Sequence, residues 1–425
     1  MLKKIKDRLN SPDSKRVINN TLSLSSLEVL NLIFPLITFP YLVSILGVEK
    51  FGLLALSSAV VMFAQLIPKY GFELSGVKQI SMYRDNHNKV AIIFASIINA
   101  KLILLFISFL LLNIFIFSIE QFSHDWVLYY VTFGIVIGDV LFPSWFFQGM
   151  EDMKWITYIN LTVRIFFTVL IFIFIREESD YIYVPILNST GMIIAGMFSL
   201  YIIGKKYNIY IKVQKISNIV WQLHNSWYLF TSTVSVSMYT TVNIILLGYF
   251  TNNTVVGYFN IANKLISISL TIVNAFSKAM YPNLARIYSS SKDDFYKTFS
   301  KILKYLFPLL ILLVVVSIIL IKIFLPMLVE SNVSNIIDIF IILSVMILLV
   351  PYGSLFTNYL VIVNKTKILN KIVIFSAVIN ILLMPIVIYL FQEKGLAYFT
   401  VVLQIVTISM CILIYKKTRK KNGRI

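Results

Sequence analysis

The sequence predicts an all-α integral membrane protein with twelve transmembrane helices in two pseudo-symmetric six-helix lobes, and three observations support this. Of its 425 residues, 58% are hydrophobic and 13% are charged, whereas a soluble domain has about 25% charged residues. Twelve apolar runs follow one another, each near or above the roughly 20 residues that cross a bilayer. The lysines and arginines are concentrated in every second loop and are scarce in the loops between, as the positive-inside rule requires.

The apolar runs define the predicted helices in chain order, because lipid requires each spanning segment to satisfy its own backbone polar groups. The first six runs fall at about 20–46, 51–69, 90–118, 125–149, 155–175 and 181–204. The second six fall at about 221–250, 254–283, 302–326, 334–363, 368–391 and 396–415. The predicted divisions of the chain are a cytoplasmic N-terminal segment (1–19), an N-terminal lobe (20–204), a cytoplasmic linker (205–220), a C-terminal lobe (221–415) and a basic tail (416–425).

The basic residues predict that both termini are cytoplasmic. With both termini inside, 29 of the 37 lysines and arginines fall in inner segments, and the outer loops carry only Lys50, Arg176 and Lys394. The net charge of +18 is then a cytoplasmic face next to anionic lipid, which argues against nucleic acid as a partner. Polar residues precede the first apolar run, so we expect an uncleaved first span and no signal peptide.

Few residues suit catalysis or metal binding. The single cysteine, Cys411, excludes an internal disulfide, and the three histidines are too scattered to ligate a metal. Glu151 and Asp152 are adjacent, but they fall at the turn between the fourth and fifth predicted helices. We expect water to solvate them there, with no pocket around them. The sequence therefore predicts no enzyme, metal or cofactor.

Two pairs of segments repeat between the halves of the chain. ILGVEKFG (45–52) resembles LLGYFTNNTVVG (246–257), and WFFQGMEDMKWITYIN (145–160) loosely matches LFTNYLVIVNKTKILN (355–370). Halves with an even number of helices keep the same orientation. Such parallel repeats usually flank a substrate path that opens alternately to each side of the membrane.

Five charged residues lie deep within apolar runs: Glu28, Lys101, Asp139, Arg164 and Lys264. Each costs at least about 2.5–3.5 kcal/mol at mid-bilayer, so each should face the interior or a wet cavity. Asp139 and Arg164 share a depth on neighbouring helices, which leaves open an ion pair, a transport role, or both. Lys101 and Lys264 can contact a ligand or a structural partner, and Glu28 can couple an ion or pair with Lys101. The surplus of positive charge suits an anion such as a sugar diphosphate.

Three stretches of the chain resemble the signatures of bacterial polysaccharide flippases. They are FPYLVSILGVEKFGLLALSSAVVMFAQLIPKYGFELSGVKQIS (39–81), PSWFFQGMEDMKWITYIN (143–160) and VVGYFNIANKLISISLTIVNAFSKAMYPNLARI (255–287). Over nearly its whole length the chain resembles the Wzx-type O-antigen or polysaccharide repeat-unit flippases. These belong to the wider superfamily of multidrug and toxic-compound extrusion (MATE) transporters.

The resemblance implies a MATE-like fold in the bacterial cytoplasmic (inner) membrane. It implies that an undecaprenyl-diphosphate-linked oligosaccharide moves from the inner to the outer leaflet, driven by a gradient of H+ or Na+. A polysaccharide polymerase and a chain-length regulator are implied partners. Charged cavity residues serve the sugar-diphosphate head in this family. By depth, Lys101, Arg164 and Lys264 are assigned to substrate binding, and Glu28 and Asp139 to ion coupling.

Two alternatives stay open at this stage. A MATE-type exporter of cationic drugs predicts an acidic cavity, whereas the charges at mid-depth here are mostly basic. A membrane glycosyltransferase or polymerase predicts a sizeable extramembrane loop or paired acids near the substrate plane.

Overall fold

The computed structural model describes residues 12–329 and 332–422, and this part of the chain is helical without any β-strand. The α-helices are α1 (Pro12–Lys69), α2 (Phe72–Met82), α3 (His87–Ser118), α4 (Glu120–Ser123), α5 (Trp126–Leu141), α6 (Ser144–Gly149), α7 (Lys154–Phe174), α8 (Tyr183–Tyr207), α9 (Ile216–Thr240), α10 (Val242–Phe250), α11 (Asn253–Ser290), α12 (Lys292–Phe324), α13 (Val333–Ile362) and α14 (Thr366–Asn422). Short 3-10 helices precede α8 (Glu178–Ile182) and follow α12 (Leu325–Met327).

Eight helical segments of the described chain are long and apolar enough to cross a membrane, which makes this a multi-pass membrane protein. They are Ile33–Met82, His87–Ser118, Trp126–Gly149, Lys154–Phe174, Glu178–Tyr207, Lys292–Met327, Val333–Ile362 and Thr366–Arg419. The predicted all-α membrane class is therefore confirmed. The predicted run at about 221–250 corresponds to α9 together with α10, and the run at about 254–283 corresponds to α11. These three helices are not among the eight segments. The predicted number of twelve spans stays a prediction.

Sharp kinks interrupt the two longest helices. In α1 the kink is at Gly47, with φ of 69° and ψ of 176°, and in α14 it is at Gln392, with φ of 51° and ψ of −136°. Glycine adopts such a backbone without steric cost because it has no Cβ atom. Glutamine at a similar φ is strained by about 1–3 kcal/mol. Each kink falls between two predicted apolar runs, so the helix is interrupted at the place where the sequence predicts the boundary between two spans.

The described helices pack into two units. The first contains residues up to Leu46 and Ser57–Ser237, and the second contains Gly47–Leu56 and the chain from Met238 onward. In the first unit, α9 is held against α2 by the amides of Gln79 and Gln222, which exchange hydrogen bonds of 2.8 and 2.9 Å. Nearby, the hydroxyls of Ser75 and Ser226 are 2.7 Å apart. The predicted lobe boundaries at 204 and 221 stay a prediction.

The first pair of repeated segments makes a reciprocal contact within the second unit. A Cβ atom at Gly52 would lie 1.9 Å from the backbone oxygen of Asn253, and one at Gly257 would lie 2.2 Å from the backbone oxygen of Val48. Val48 precedes Gly52 by as many residues as Asn253 precedes Gly257. Each repeat therefore presents a glycine to the equivalent backbone of the other, as expected of elements related by a two-fold axis.

Replacing Gly52 by alanine is expected to destabilise the protein by at least about 2 kcal/mol, because the new Cβ atom meets backbone that cannot rotate away. The matched control is Gly353→Ala, whose Cβ would lie 3.1 Å from Nε2 of the flexible Gln404 side chain. Thermal unfolding of the detergent-purified variants would measure the effect. Equal midpoints for Gly52→Ala and Gly353→Ala would show that the reciprocal contact is not tight.

Candidate functional site

The Asp139 carboxylate lies between two lysine side chains of the first unit. Its Oδ1 atom is 3.8 Å from Lys69 Nζ, and its Oδ2 atom is 3.8 Å from Lys101 Nζ. Lys101 Nζ also donates a 3.3 Å hydrogen bond to the backbone oxygen of Asp139. The Lys101 side chain is fully buried at 0% exposure, whereas 37% of the Lys69 side chain is exposed. We refer to Lys69, Asp139 and Lys101 as the lysine–aspartate triad.

Three helices bring the triad together. Lys69 ends α1, Lys101 lies within α3, and Asp139 lies near the end of α5. Oδ2 of Asp139 is buried and has no hydrogen-bond partner among the described residues. Because a buried charge is costly unless it is paired, this carboxylate depends on the two ammonium groups. Two cations and one anion leave the triad with a net charge of +1.

Arg164 lines a separate cavity of the first unit, with a volume of about 310 Å³. Its polar neighbours in the lining are Thr38 of α1, Thr168 of α7 and Asn188 of α8. Apolar side chains, among them Phe167, line the rest. Arg164 has no ion-pair partner among the residues whose side chains are described. A guanidinium group has five donors, and beside hydroxyl and amide groups it can bind an anion.

The ion pair between Asp139 and Arg164 that the sequence left open does not form. The Asp139 carboxylate is held by Lys69 and Lys101, and Arg164 faces its own cavity. Equal depth on neighbouring helices fixes the height of two side chains but not the direction in which they point. Helices α1 and α3 also contribute cations to Asp139, which the comparison of two helices alone did not consider.

Two predicted site residues remain, Lys264 and Glu28. Lys264 lies in the second unit, on α11, where its side chain is exposed. Glu28 lies on α1, but its side chain is outside the part of the structure that is described, so its role stays a prediction. Sequence reasoning missed Lys69, which it counted only among the basic residues of the inner side. Lys69 could have been found from the sequence, because it is the last residue of its apolar run and precedes the Tyr70-Gly71 turn.

A second cavity of about 340 Å³ lies within the second unit. Its polar lining residues are Asn243, Asn263, Ser376, Asn380, Thr400, Gln404 and Thr407. Nδ2 of Asn380 donates a 2.8 Å hydrogen bond to Oδ1 of Asn243, and the hydroxyls of Ser376 and Thr407 are 2.9 Å apart. No charged residue of the described chain lines this cavity. The lining of this cavity is therefore neutral, whereas the lining of the cavity in the first unit includes the cation Arg164.

Glu151 and Asp152 form ion pairs at the turn between α6 and α7. Glu151 Oε1 accepts a 2.6 Å hydrogen bond from Arg84. Asp152 accepts one from Lys206, together with a 2.6 Å hydrogen bond from the Tyr207 hydroxyl. Only 14% of the Asp152 side chain is exposed. The expected open, water-solvated turn is therefore wrong for Asp152, because the end of α8 covers it. Their proposed lack of a catalytic role stays a prediction.

Asp152 is expected to make stability depend on pH in the acid range. Burial raises the pKa of this carboxyl, but hydrogen bonds from Lys206 and Tyr207 and the charges of Lys206 and Lys154 outweigh burial and lower the pKa overall. A lowered folded-state pKa gives stability above the unfolded-state value, which is lost as pH falls below about 4. Asp152→Asn should remove about 1 kcal/mol at neutral pH and flatten the acid limb of unfolding curves. An unchanged acid limb would contradict the assignment.

Comparison with known proteins gives a family match and two curated relatives. The polysaccharide biosynthesis protein family matches residues 17–288. The "Putative O-antigen transporter" of Escherichia coli (strain K12) is 30% identical over 266 residues, which are 63% of this chain and 64% of that protein. The protein of the same description from Shigella dysenteriae is 28% identical over 268 residues, covering 63% of this chain and 67% of its own length. The match to the Escherichia coli relative thus spans slightly less than two thirds of its length.

Two solved structures share the fold. An inward-facing MATE family transporter of the MOP superfamily superposes with a TM-score of 0.67 at 12% identity, over 92% of this chain and 96% of that one. The lipid II flippase MurJ, in an inward closed conformation, gives a TM-score of 0.67 at 15% identity, over 94% of this chain and 87% of that one. The predicted MATE-like fold is therefore confirmed.

Proposed function

This chain belongs to the polysaccharide biosynthesis protein family, and on that premise we propose that it is a flippase for undecaprenyl-diphosphate-linked oligosaccharide. The substrate is an O-antigen or similar polysaccharide repeat unit. It moves by alternating access from the inner to the outer leaflet of the bacterial cytoplasmic membrane. The description of the Escherichia coli relative as an O-antigen transporter and the flippase named among the structures of the same fold support this assignment.

The observation that carries the proposal is the guanidinium of Arg164 in the cavity of the first unit, which has no ion-pair partner among the residues whose side chains are described. A diphosphate that leaves water must exchange its hydration for charged donors. Arginine matches phosphate oxygens because its planar fork donates two parallel hydrogen bonds. The hydroxyls of Thr38 and Thr168 and the amide of Asn188 supply further donors. The polyprenyl tail stays in lipid throughout.

We also assign roles to the remaining charged residues. Lys69 is the exposed member of the lysine–aspartate triad and attracts the anionic head, while buried Lys101 holds Asp139 in place. Lys264, exposed on α11, keeps the substrate-binding role that was predicted for it. Asp139 and Glu28 couple H+ or Na+ to transport. An ion drives the cycle only if it binds the two conformations unequally, and protonating Asp139 would free both lysines of the triad.

The topology that accompanies this function has twelve crossings and cytoplasmic termini. The two longest apolar segments have 50 and 54 residues and contain the kinks at Gly47 and Gln392. At about 1.5 Å per residue each is long enough for two crossings. Helix α9 with α10, and α11, supply two more. Repeats of six crossings keep the same orientation, as a parallel-repeat transporter requires.

A cationic-drug exporter is the rival assignment, and the lining of the two cavities speaks against it. Such an exporter needs carboxylates to hold its substrate. Neither cavity has a carboxylate among its described lining residues, and the first presents Arg164. Anions are therefore favoured over cations.

Translocation in proteoliposomes tests the proposal. Undecaprenyl diphosphate that carries a labelled oligosaccharide is placed in the leaflet facing the lumen, and its appearance outside is followed with a sugar-specific probe. We expect protein-dependent transfer of this lipid and none of a cationic dye. Transfer of the dye alone would support the drug exporter, and a lengthened or cleaved glycan would reveal an enzyme.

A further inference from the structure

The cavity of the second unit is a built polar site whose chemistry differs from that of the Arg164 cavity. The side-chain amides of Asn243 and Asn380 form a hydrogen bond with each other. The two residues are buried, with 6% and 1% of their surface exposed. Thr407 donates to the backbone oxygen of Leu403, and its hydroxyl lies next to that of Ser376. These hydrogen bonds fix the directions in which the lining presents its donors and acceptors.

Two further amides line the cavity. The side chains of Asn263 and Gln404 line the cavity and form no hydrogen bond with any residue that the structure describes. Each amide offers two donors and an acceptor with two lone pairs. Both residues are half-buried, so a polar ligand or water in the cavity can satisfy these groups.

The neutral lining selects the chemical class of the ligand. A diphosphate requires cationic donors, and none lines this cavity. A metal or organic cation would be desolvated without a counter-charge, and Lys264, the next residue after Asn263, adds positive charge nearby. Hydroxyl groups, which donate and accept at once, match amides and hydroxyls without any charge. Phe259 and Leu403 provide apolar surface for the carbon skeleton between them.

We propose that this cavity is a sugar subsite that binds one neutral sugar ring of the lipid-linked glycan through Asn263 and Gln404. The inference rests on the proposed flippase function and adds a second contact to it. The volume of about 340 Å³ is near the lower end of the roughly 300–1,000 Å³ of small-molecule sites. The cavity therefore takes a single ring and not a whole repeat unit. Charged sugars are excluded because the lining offers them no counter-ion.

Binding in lipid nanodiscs tests the sugar subsite with two probes: undecaprenyl diphosphate bearing one neutral hexose, and bare undecaprenyl diphosphate. Wild-type protein should bind the glycosylated lipid about tenfold more tightly, as expected for one or two new hydrogen bonds. Gln404→Met and Asn263→Leu should each remove most of this preference and leave the affinity for the bare lipid unchanged. Two variants keep the test valid if one of them fails to fold.

The control variant is Asn283→Leu, on the same helix as Asn263 but exposed and outside the cavity. It should keep the full preference for the glycosylated lipid. If Gln404→Met and Asn263→Leu weakened both lipids equally, or changed neither, the cavity would hold only water and the sugar subsite would be wrong. If the wild type bound neither lipid, the flippase function itself would fail.

Discussion

Replacing Asp139 by asparagine is expected to lower the free energy of unfolding by about 3 kcal/mol and to abolish transport. The reason is that the variant leaves the ammonium group of Lys101 fully buried without its carboxylate partner. Lys69 would also lose the anion that separates the two cations. Chemical denaturation in mixed micelles measures the stability, and the proteoliposome assay measures transport.

A double-mutant cycle separates the buried charge from other effects. Asp139→Asn combined with Lys101→Met removes both members of the buried pair, so we expect it to recover about half of the lost stability. The matched control is Asp338→Asn, which breaks a pair with Lys394 whose members are about half exposed, and such a pair contributes about 1 kcal/mol or less. If Lys101→Met lowered the free energy of unfolding by the same amount in the Asp139→Asn variant as in the wild type, the two residues would not be coupled.

Replacing Arg164 by methionine is expected to reduce transport of the diphosphate lipid at least tenfold, because a charge-assisted hydrogen bond contributes about 1.5–3 kcal/mol. The effect on stability should be the opposite of that of Asp139→Asn. Arg164 gives up no ion pair among the described residues, so methionine should preserve or raise the unfolding midpoint. Arg164→Lys keeps the positive charge but loses the planar guanidinium that donates two parallel hydrogen bonds, so it should retain part of the transport activity.

The control for Arg164 is Arg176→Met. Arg176 lies just beyond the end of the same helix, is exposed, and binds the backbone oxygen of Ile173. It should transport at the wild-type rate. Normal transport by Arg164→Met, at equal protein in the membrane, would remove this residue from the site.

The sequence was sufficient for the class of the fold because hydropathy and charge asymmetry act on every segment. It also placed Lys101 and Asp139 away from lipid, and the structure pairs them. It could not choose the partner of Asp139, because that depends on the rotation of each helix about its axis, and α3 and α5 turn Lys101 rather than Arg164 toward the carboxylate. Depth alone contains no information on rotation.

Other features lay beyond the pattern of the sequence for physical reasons. Each kink arises from the backbone conformation of one residue, Gly47 or Gln392. Of these two, only the glycine is a residue type that indicates such a conformation in the sequence. The repeat was recognised from short matches, but the approach of Gly52 to Asn253 required coordinates. The polar cavity of the second unit was missed because a search for deep charges does not consider neutral amides.

A structure of the protein with bound undecaprenyl diphosphate, determined by cryo-electron microscopy in nanodiscs, tests the central claim most directly. We predict phosphate oxygens about 2.7–2.9 Å from the guanidinium nitrogens of Arg164, the distance of a charge-assisted hydrogen bond. A diphosphate bound in the neutral cavity of the second unit, with the Arg164 cavity empty of phosphate, would contradict the account.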